Sequence, residues 1–281
     1  DMGRIKQVAG IATLIMALMA STGFAQSRSS SVYGTQRTGA RKVSSTAQPH
    51  FGAGAGMWFV SPDGDITADS GILRGTNVDV EDDLGLDDEE VLQLRGWIKL
   101  GRHRIQAGYM DLGFSGSSRL TREVAFGGFR YPVSAHVESD VDITAIEVVD
   151  QISLTPSSWD MLDLGIILGG DYYDLDASLT AAHIGRGTAS GEAIAPKIGL
   201  FGRGSLAADW IRWNIEAAGT KFDISDADVS YLTIQGNVGL ALGPFATVWV
   251  GYRHLDADVT VDDFSADLKL TGPQAMLEVQ F

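Results

Sequence analysis

From Phe51 to Phe281, apolar residues return at every second position, and that period admits strands and little else. In SYLTIQGNVGLAL, Leu232, Ile234, Val238, Leu240 and Leu242 share one face, and Tyr231, Thr233, Gln235 and Asn237 share the other. In MLDLGIILGGDYY, Leu162, Leu164, Ile166 and Leu168 oppose Asp163 and Asp171. Ile211, Trp213 and Ile215 oppose Arg212, Asn214 and Glu216, and Leu92, Leu94 and Ile98 oppose Gln93, Arg95 and Lys99. Every such segment has one apolar and one polar face.

The breaks between segments set the topology. Short ones fall at 100–103, 155–160, 207–209 and 243–246. Longer ones, acidic or glycine-rich, fall at 69–88, 113–135, 181–190, 222–228 and 256–263. Short and long connections alternate, as in a transmembrane antiparallel up-and-down β-barrel with tight periplasmic turns and longer external loops. The fold class is all-β. Ten strands are expected, at 51–66, 88–99, 103–113, 136–153, 161–178, 191–206, 209–221, 229–242, 246–256 and 264–281, with eight or twelve as the alternatives. The segment 136–153 is the irregular one, because TAIEVVDQ keeps neither phase cleanly.

The N-terminal residues say which solvent the apolar face meets. Arg4 and Lys6 precede an uncharged run from Val8 to Ala20, and Gly23 and Ala25 stand at the −3 and −1 positions of a cleavage site. Residues 1–25 thus read as a secretory signal peptide, and the mature chain is expected to begin at Gln26. Residues 26–50 are basic and rich in Ser and Thr, the composition of a disordered periplasmic tail. The domain from 51 to 281 is the barrel. No later apolar run is long enough for a spanning helix. With 44% hydrophobic residues, 34 Gly and only 7 Pro, an exported chain of this kind is a periplasmic β-domain or an outer-membrane barrel. The chain has no cysteine, so disulfides and a lipidated cysteine contribute nothing.

The chain carries a net charge of −15; residues 1–50 are net +5, which leaves −20 on the rest. So acidic a body argues against nucleic acid as a partner. It suits divalent cations at the external loops. Trp159, Trp210, Trp213, Phe245 and Phe281 all fall at expected periplasmic ends, where half-wet aromatic rings belong. Phe281 ends the last strand on the outward face, with Val279 and Leu277 above it.

The closing segment GYRHLDADVTVDDFSADLKLTGPQAMLEVQF resembles the last hairpin of small Gram-negative outer-membrane barrels of the broad OmpA/OmpW-like superfamily. LGIILGGDYYDLDASLT is similar to a mid-barrel strand of the same group. The resemblance implies an outer-membrane location, contact with membrane lipid and lipopolysaccharide, and recognition of Leu277, Val279 and Phe281 by the barrel assembly machinery. It implies no catalytic residue and no cofactor.

The residues that could carry function are the charges on the inward face. By phase these are Arg95, Lys99, Arg104, Lys197, Arg203, Arg212 and Arg253, against Asp163, Asp171, Glu216 and Glu278. Asp140 and Asp142 join them if 136–153 faces that way. Unpaired charges in a narrow lumen are costly, so the two signs should pair. A paired lumen is a polar plug; an unpaired one is a path for solutes. In the acidic stretch 79–90, Asp79, Glu81, Asp83 and Glu90 match positions 1, 3, 5 and 12 of a calcium loop, but Leu84 occupies the position that needs glycine. The five histidines lie too far apart for a local metal pair. His254, with Asp256 and Asp258 nearby, is the one candidate for hydrolysis of lipid or peptide at the external rim. The expected function is non-enzymatic: a structural envelope barrel with a charge-filled lumen. A narrow porin is the first alternative and a rim hydrolase the second.

Overall fold

The computed structural model describes residues 50–68, 75–156, 161–206, 210–224, 227–261 and 264–281. The signal segment, the basic tail up to residue 49 and Trp159 lie outside the described residues. In chain order the strands are β1 (Phe51–Ala68), β2 (Val78–Asp79), β3 (Glu89–Leu100), β4 (His103–Arg119), β5 (Val124–Phe126), β6 (Phe129–Tyr131), β7 (His136–Ser153), β8 (Leu162–Ala181), β9 (Gly185–Leu206), β10 (Ile211–Ile224), β11 (Ala227–Ala241), β12 (Ala246–Val261) and β13 (Phe264–Gln280).

Ten of them pair antiparallel in the order β13-β12-β11-β10-β9-β8-β7-β4-β3-β1, and β13 pairs back onto β1 to close the barrel. The expected strand count and topology hold. Closure leaves no free sheet edge between the first and last strands, the condition for strands to lie in lipid. The joint is sealed at its lower end: the Phe281 N–H donates to the Phe51 carbonyl at 2.8 Å, and the Phe281 carbonyl accepts from the Phe51 N–H at 3.1 Å. At the β3–β4 turn only Gly101 and Arg102 separate the strands; Gly101 has φ +64°, a conformation that favours glycine.

The strands reach further at their upper ends than the sequence pattern suggests. The expected loops at 181–190, 222–228 and 256–263 are mostly strand: β8 runs to Ala181, β9 starts at Gly185, β10 reaches Ile224 and β12 reaches Val261. β4 continues to Arg119. Spanning a bilayer takes about 9–11 residues per strand, whereas β8 has 20 and β9 has 22. The surplus stands above the membrane, and its side chains say so.

Polarity inverts along the strands. In the lower half of β13, Leu277 and Val279 face outward while Gln274, Glu278 and Gln280 are buried inside. In its upper half Asp267 and Lys269 are the exposed residues, and Ala266, Leu268 and Leu270 are buried. β12 does the same, with Val248, Val250 and Tyr252 outward below and Asp258 and Thr260 exposed above. The lower half is apolar outside and polar inside, as lipid demands; the upper half has the polarity of a protein in water. Tyr109, Tyr252 and Phe59 stand outward near the change of polarity and mark the upper interface, while Phe51, Phe245 and Phe281 mark the lower one. Phe281 stacks on Phe51 with ring centroids 5.4 Å apart and lies 6.5 Å from Phe245.

At the crossover the β1–β13 ladder is interrupted between Trp58↔Gln274 and Ser61↔Thr271. Pro273 has no N–H to offer there. The Trp58 indole N–H donates instead to the Gly272 carbonyl at 3.2 Å. A Cβ on Gly272 would lie 1.7 Å from the Phe59 carbonyl, so only glycine allows this approach.

Two connections fold over the upper end. Val78, Val80, Leu84 and Leu86 from the β1–β3 connection, and Leu120, Val124, Phe126 and Tyr131 from the β4–β7 connection, are buried in one apolar cluster. That cluster also holds Trp58, Val60, Phe114, Val137, Leu175, Leu179, Leu255, Leu268 and Leu270 from the barrel wall. The Tyr131 hydroxyl donates to the Leu179 carbonyl at 2.6 Å and accepts from the Gly187 N–H at 2.8 Å, which ties the β5–β6 hairpin to β8 and β9. Burial pushes the Tyr131 phenol above its ordinary pKa, partly offset by the Gly187 N–H.

Candidate functional site

The lower lumen is built from side chains that the short strand period aims inward. One of its buried cations is Lys197 on β9. The ammonium lies 2.5 Å from Glu147 on β7 and 2.8 Å from Asp171 on β8, and its side chain is 3% exposed. Tyr173 donates its hydroxyl to Asp171 at 3.3 Å, and Gln106 donates its amide to Glu147 at 3.1 Å. One cation between two anions, each with a further donor, is the arrangement that makes buried charge tolerable.

A second network crosses the barrel below it. Arg203 donates through Nε and Nη2 to Asp163 at 2.9 and 2.6 Å, and through Nη1 to Gln151 at 3.1 Å. Ser153 and Thr155 donate to the other oxygen of Asp163. Gln151 and Gln235 donate to the two oxygens of Glu216 at 3.1 and 2.6 Å. Gln274 donates to Gln235 at 3.4 Å and to Asn237 at 2.8 Å, and Gln93 donates to Gln274 at 3.3 Å. Near the lower end, Arg104 lies over the Trp97 ring at 4.1 Å and 3.6 Å from Glu278, and Arg212 donates to Thr247 at 2.9 Å. Among the described residues are two small cavities, each of about 20 Å³. That volume holds about one water each.

Six of the expected inward charges are brought together in ion pairs of the described residues: Arg203 with Asp163, Lys197 with Asp171, and Arg104 with Glu278. Lys99 faces the same lower lumen from β3. Arg95 and Arg253 line both cavities with no carboxylate within 4 Å in any ion pair of the described residues. Asp140 and Asp142 are corrected: they are exposed on the outer face of upper β7, where Val137, Val141 and Ile143 are the buried residues. Glu147 is the inward acid the sequence reading missed. TAIEVVDQ loses its phase because the polarity of β7 inverts within it, from Ala145 inward to Glu147 inward. Counting back by twos from the inward Gln151 finds Glu147. The amide network and Trp58 were not anticipated either, since uncharged polar residues on a strand carry no sign to pair.

The calcium-like spacing does not build a site. Asp79 accepts the N–H groups of Glu81 and Asp82 at 3.0 and 2.6 Å, so its carboxylate caps a turn. Asp83 accepts from the Asp79 N–H at 3.2 Å and from Arg122 at 2.5 Å. That hydrogen bond is the main cause of a raised Arg122 pKa. Glu90 lies apart, paired with Phe59 in the sheet. Among the described residues no group of three acids or histidines could hold a metal ion.

His254 sits on the outward face of β12 between Ile234 and Thr271, with Asp256 and Asp258 further up the same face. No hydroxyl donor meets it among the hydrogen bonds of the described residues. A different histidine has a carboxylate partner: His103 Nδ1 lies 2.7 Å from Asp150 at the lower rim.

No family model matches the chain, and no curated protein sequence matches it. Solved structures do. The outer-membrane protease OmpT of Escherichia coli is 10% identical, with a TM-score of 0.56 over 84% of this chain and 98% of that one. The translocator domain of the autotransporter NalP of Neisseria meningitidis is 11% identical, with a TM-score of 0.42 over 84% of this chain and 90% of that one. Ail of Yersinia pestis, in complex with a heparin analogue, is 7% identical, with a TM-score of 0.34 over 82% and 99%. At these identities the likeness is one of fold: the chain is a ten-stranded antiparallel barrel of the outer-membrane type.

Proposed function

We propose that this chain is a non-conducting, non-enzymatic barrel of the Gram-negative outer membrane, with a structural role in the envelope. The observation that carries this reading is the filling of its interior. An apolar cluster occupies the upper lumen, with two connections folded into it, and paired charges and amides cross the lower lumen. A pore needs a continuous wet path, and a lumen filled at both levels by the described residues argues against one. Its partners on this reading are membrane lipid and lipopolysaccharide along the outward apolar band. Divalent cations would be held only loosely by the acidic external surface. Leu277, Val279 and Phe281 act as the signal for the barrel assembly machinery during insertion.

The test is single-channel recording of the purified barrel in a planar bilayer. The expected trace is flat at physiological salt. Discrete steps in the wild type would replace this reading with that of a narrow porin, and cleavage of lipid or peptide substrates that His254→Ala abolishes would replace it with the rim hydrolase.

A further inference from the structure

We infer that His103 and Arg102 hold the phosphate of a phospholipid headgroup at the lower lipid boundary of the barrel. This rests on the reading of the chain as a membrane barrel. Below the level of Phe59, Tyr109 and Tyr252, the outward face of the described strands carries two acidic, basic or imidazole side chains, His103 and Asp150. Asp150 pairs across the sheet with Ile105 and Leu168, and its outward neighbours on β7 are Val148 and Ile152. His103 stands between Leu100 and Ile152. Ile98, Leu100, Leu164 and Leu168 are exposed around the two, so the apolar band surrounds them. An ionisable side chain on a lipid face is costly, and one that stands there with a named partner marks a functional position.

His103 Nδ1 lies 2.7 Å from Asp150 Oδ2, and the His103 side chain is 51% exposed. With Nδ1 committed to the carboxylate, Nε2 is left on the far side of the ring, and in the imidazolium it is an N–H donor. Arg102 precedes His103 in the β3–β4 turn, is exposed, and forms no ion pair among those of the described residues. The Ser153 N–H donates to the Arg102 carbonyl at 2.9 Å, which holds the turn against the end of β7. Consecutive Cα atoms are about 3.8 Å apart, so an exposed guanidinium on Arg102 can reach the headgroup that His103 meets. Two cations against one carboxylate leave one positive charge, and a phosphodiester carries one negative charge. Ile98, Leu100 and Leu168 offer apolar surface to its acyl chains, which a free phosphate cannot use. The pair lies on the outside of the barrel, so the inference does not depend on whether the lumen conducts.

The full-length barrel, refolded in detergent, provides the test. It is titrated with monomeric dihexanoyl phosphatidylglycerol while the nitrogen resonances of the histidine rings are followed, His103 being assigned from His103→Gln. The wild type is expected to show a saturable shift of the His103 Nε2 signal. Half-saturation should rise about tenfold in Arg102→Gln, the scale of one charge-assisted hydrogen bond. Lys269→Gln, which removes a cation from the upper outward face, should leave it unchanged. Inorganic phosphate at the same concentration and ionic strength should move the signal little; an equal response to it would overturn the lipid as the ligand. A His103 signal that ignores the lipid, or a half-saturation equal in wild type and Arg102→Gln, would overturn the site. Native mass spectrometry of the wild type, offered phosphatidylglycerol and uncharged diacylglycerol together, stands even if the variants fail to fold. Retention of one phosphatidylglycerol supports the inference, and equal retention of both lipids overturns it.

Discussion

The two halves of this barrel solve opposite solvation problems with the same strands. Below the Tyr109–Tyr252 level, leucine, isoleucine and valine face outward and glutamine, arginine and glutamate face inward. Above it, aspartate and threonine face outward and a leucine- and valine-rich core fills the interior. The backbone ladder runs through both halves without a change of register. What differs is the surrounding medium, and each side chain answers to that. The lower half is held by paired charges and amides, whose worth depends on every partner being present. The upper half is held by apolar burial, which is non-directional and forgiving of exact partners.

The largest effect should come from breaking the lower half at its centre. Lys197→Met leaves Glu147 and Asp171 buried without their cation, at a cost of about 3–5 kcal/mol. Adding Glu147→Gln and Asp171→Asn should recover most of the loss, because the uncompensated charges go with the cation. Urea unfolding of the single and triple variants in detergent reads this directly. A triple variant no better than the single would mean that shape, not charge, is what Lys197 supplies.

Next comes the boundary between the halves. Val238→Arg puts a charge on the outward face of the lower half, where it should cost about 2–4 kcal/mol near the midplane. Asp258→Arg puts the same charge on the outward face of the upper half and should stay within about 0.5 kcal/mol. The yield of heat-modifiable folded barrel separates them. Equal yields would move the lipid boundary away from the point where polarity inverts.

A smaller effect is expected at the lower rim. Removing Phe281 takes away one partly exposed aromatic that touches Phe51 and Phe245. The cost to the finished barrel should be about 1–3 kcal/mol, the scale of burying one such side chain. The larger consequence is expected during assembly, since the closing strand must be recognised while its edge is still open. Outer-membrane yield in cells, set beside the urea midpoint in detergent, distinguishes the two; an unchanged yield would remove the assembly role.

The smallest effect is in the upper half. Tyr131→Phe loses both the hydrogen bond to the Leu179 carbonyl and the one from the Gly187 N–H, and should cost about 1–2 kcal/mol. It also tests a pH dependence. The unfolded phenol ionises near pH 10, and burial raises the folded value above that. Tyr131 therefore contributes its full stability below pH 10, and that contribution is lost as the pH rises through the folded value. The unfolding midpoint of the wild type should fall above pH 10 more steeply than that of Tyr131→Phe. Parallel curves would assign alkaline lability to other groups.

Much of this was legible in the residues. The ten barrel strands are where the alternation puts them, because side-chain period is a local property of extended backbone. The outward set Leu277, Val279 and Phe281 and the inward set Arg203, Asp163 and Lys197 follow from the same period. The upper strand ends were not legible, because an acidic outward face with an apolar inward face looks like a polar loop when only lipid-facing alternation is sought. Asp140 and Asp142 were placed inward only if 136–153 faced that way, and TAIEVVDQ gave no phase to decide it.

The sequence by itself determined the class of fold and, in the lower half, which residues face outward, since each of these is set by nearest neighbours along one strand; of ten strands against eight or twelve, the closure of β13 onto β1 decided for ten. Tertiary structure alone decided the rest. Lys197 meets Glu147 from 50 residues away, and Gln93 meets Gln274 from 181 residues away. Closure of β13 onto β1 makes the lumen a shared interior, so a side chain's partner is fixed by its height and angle around the barrel rather than by distance along the chain. The filling of the upper lumen is decided in the same way, because Leu84 and Phe126 come from separate connections and meet in one core with wall residues far from them along the chain.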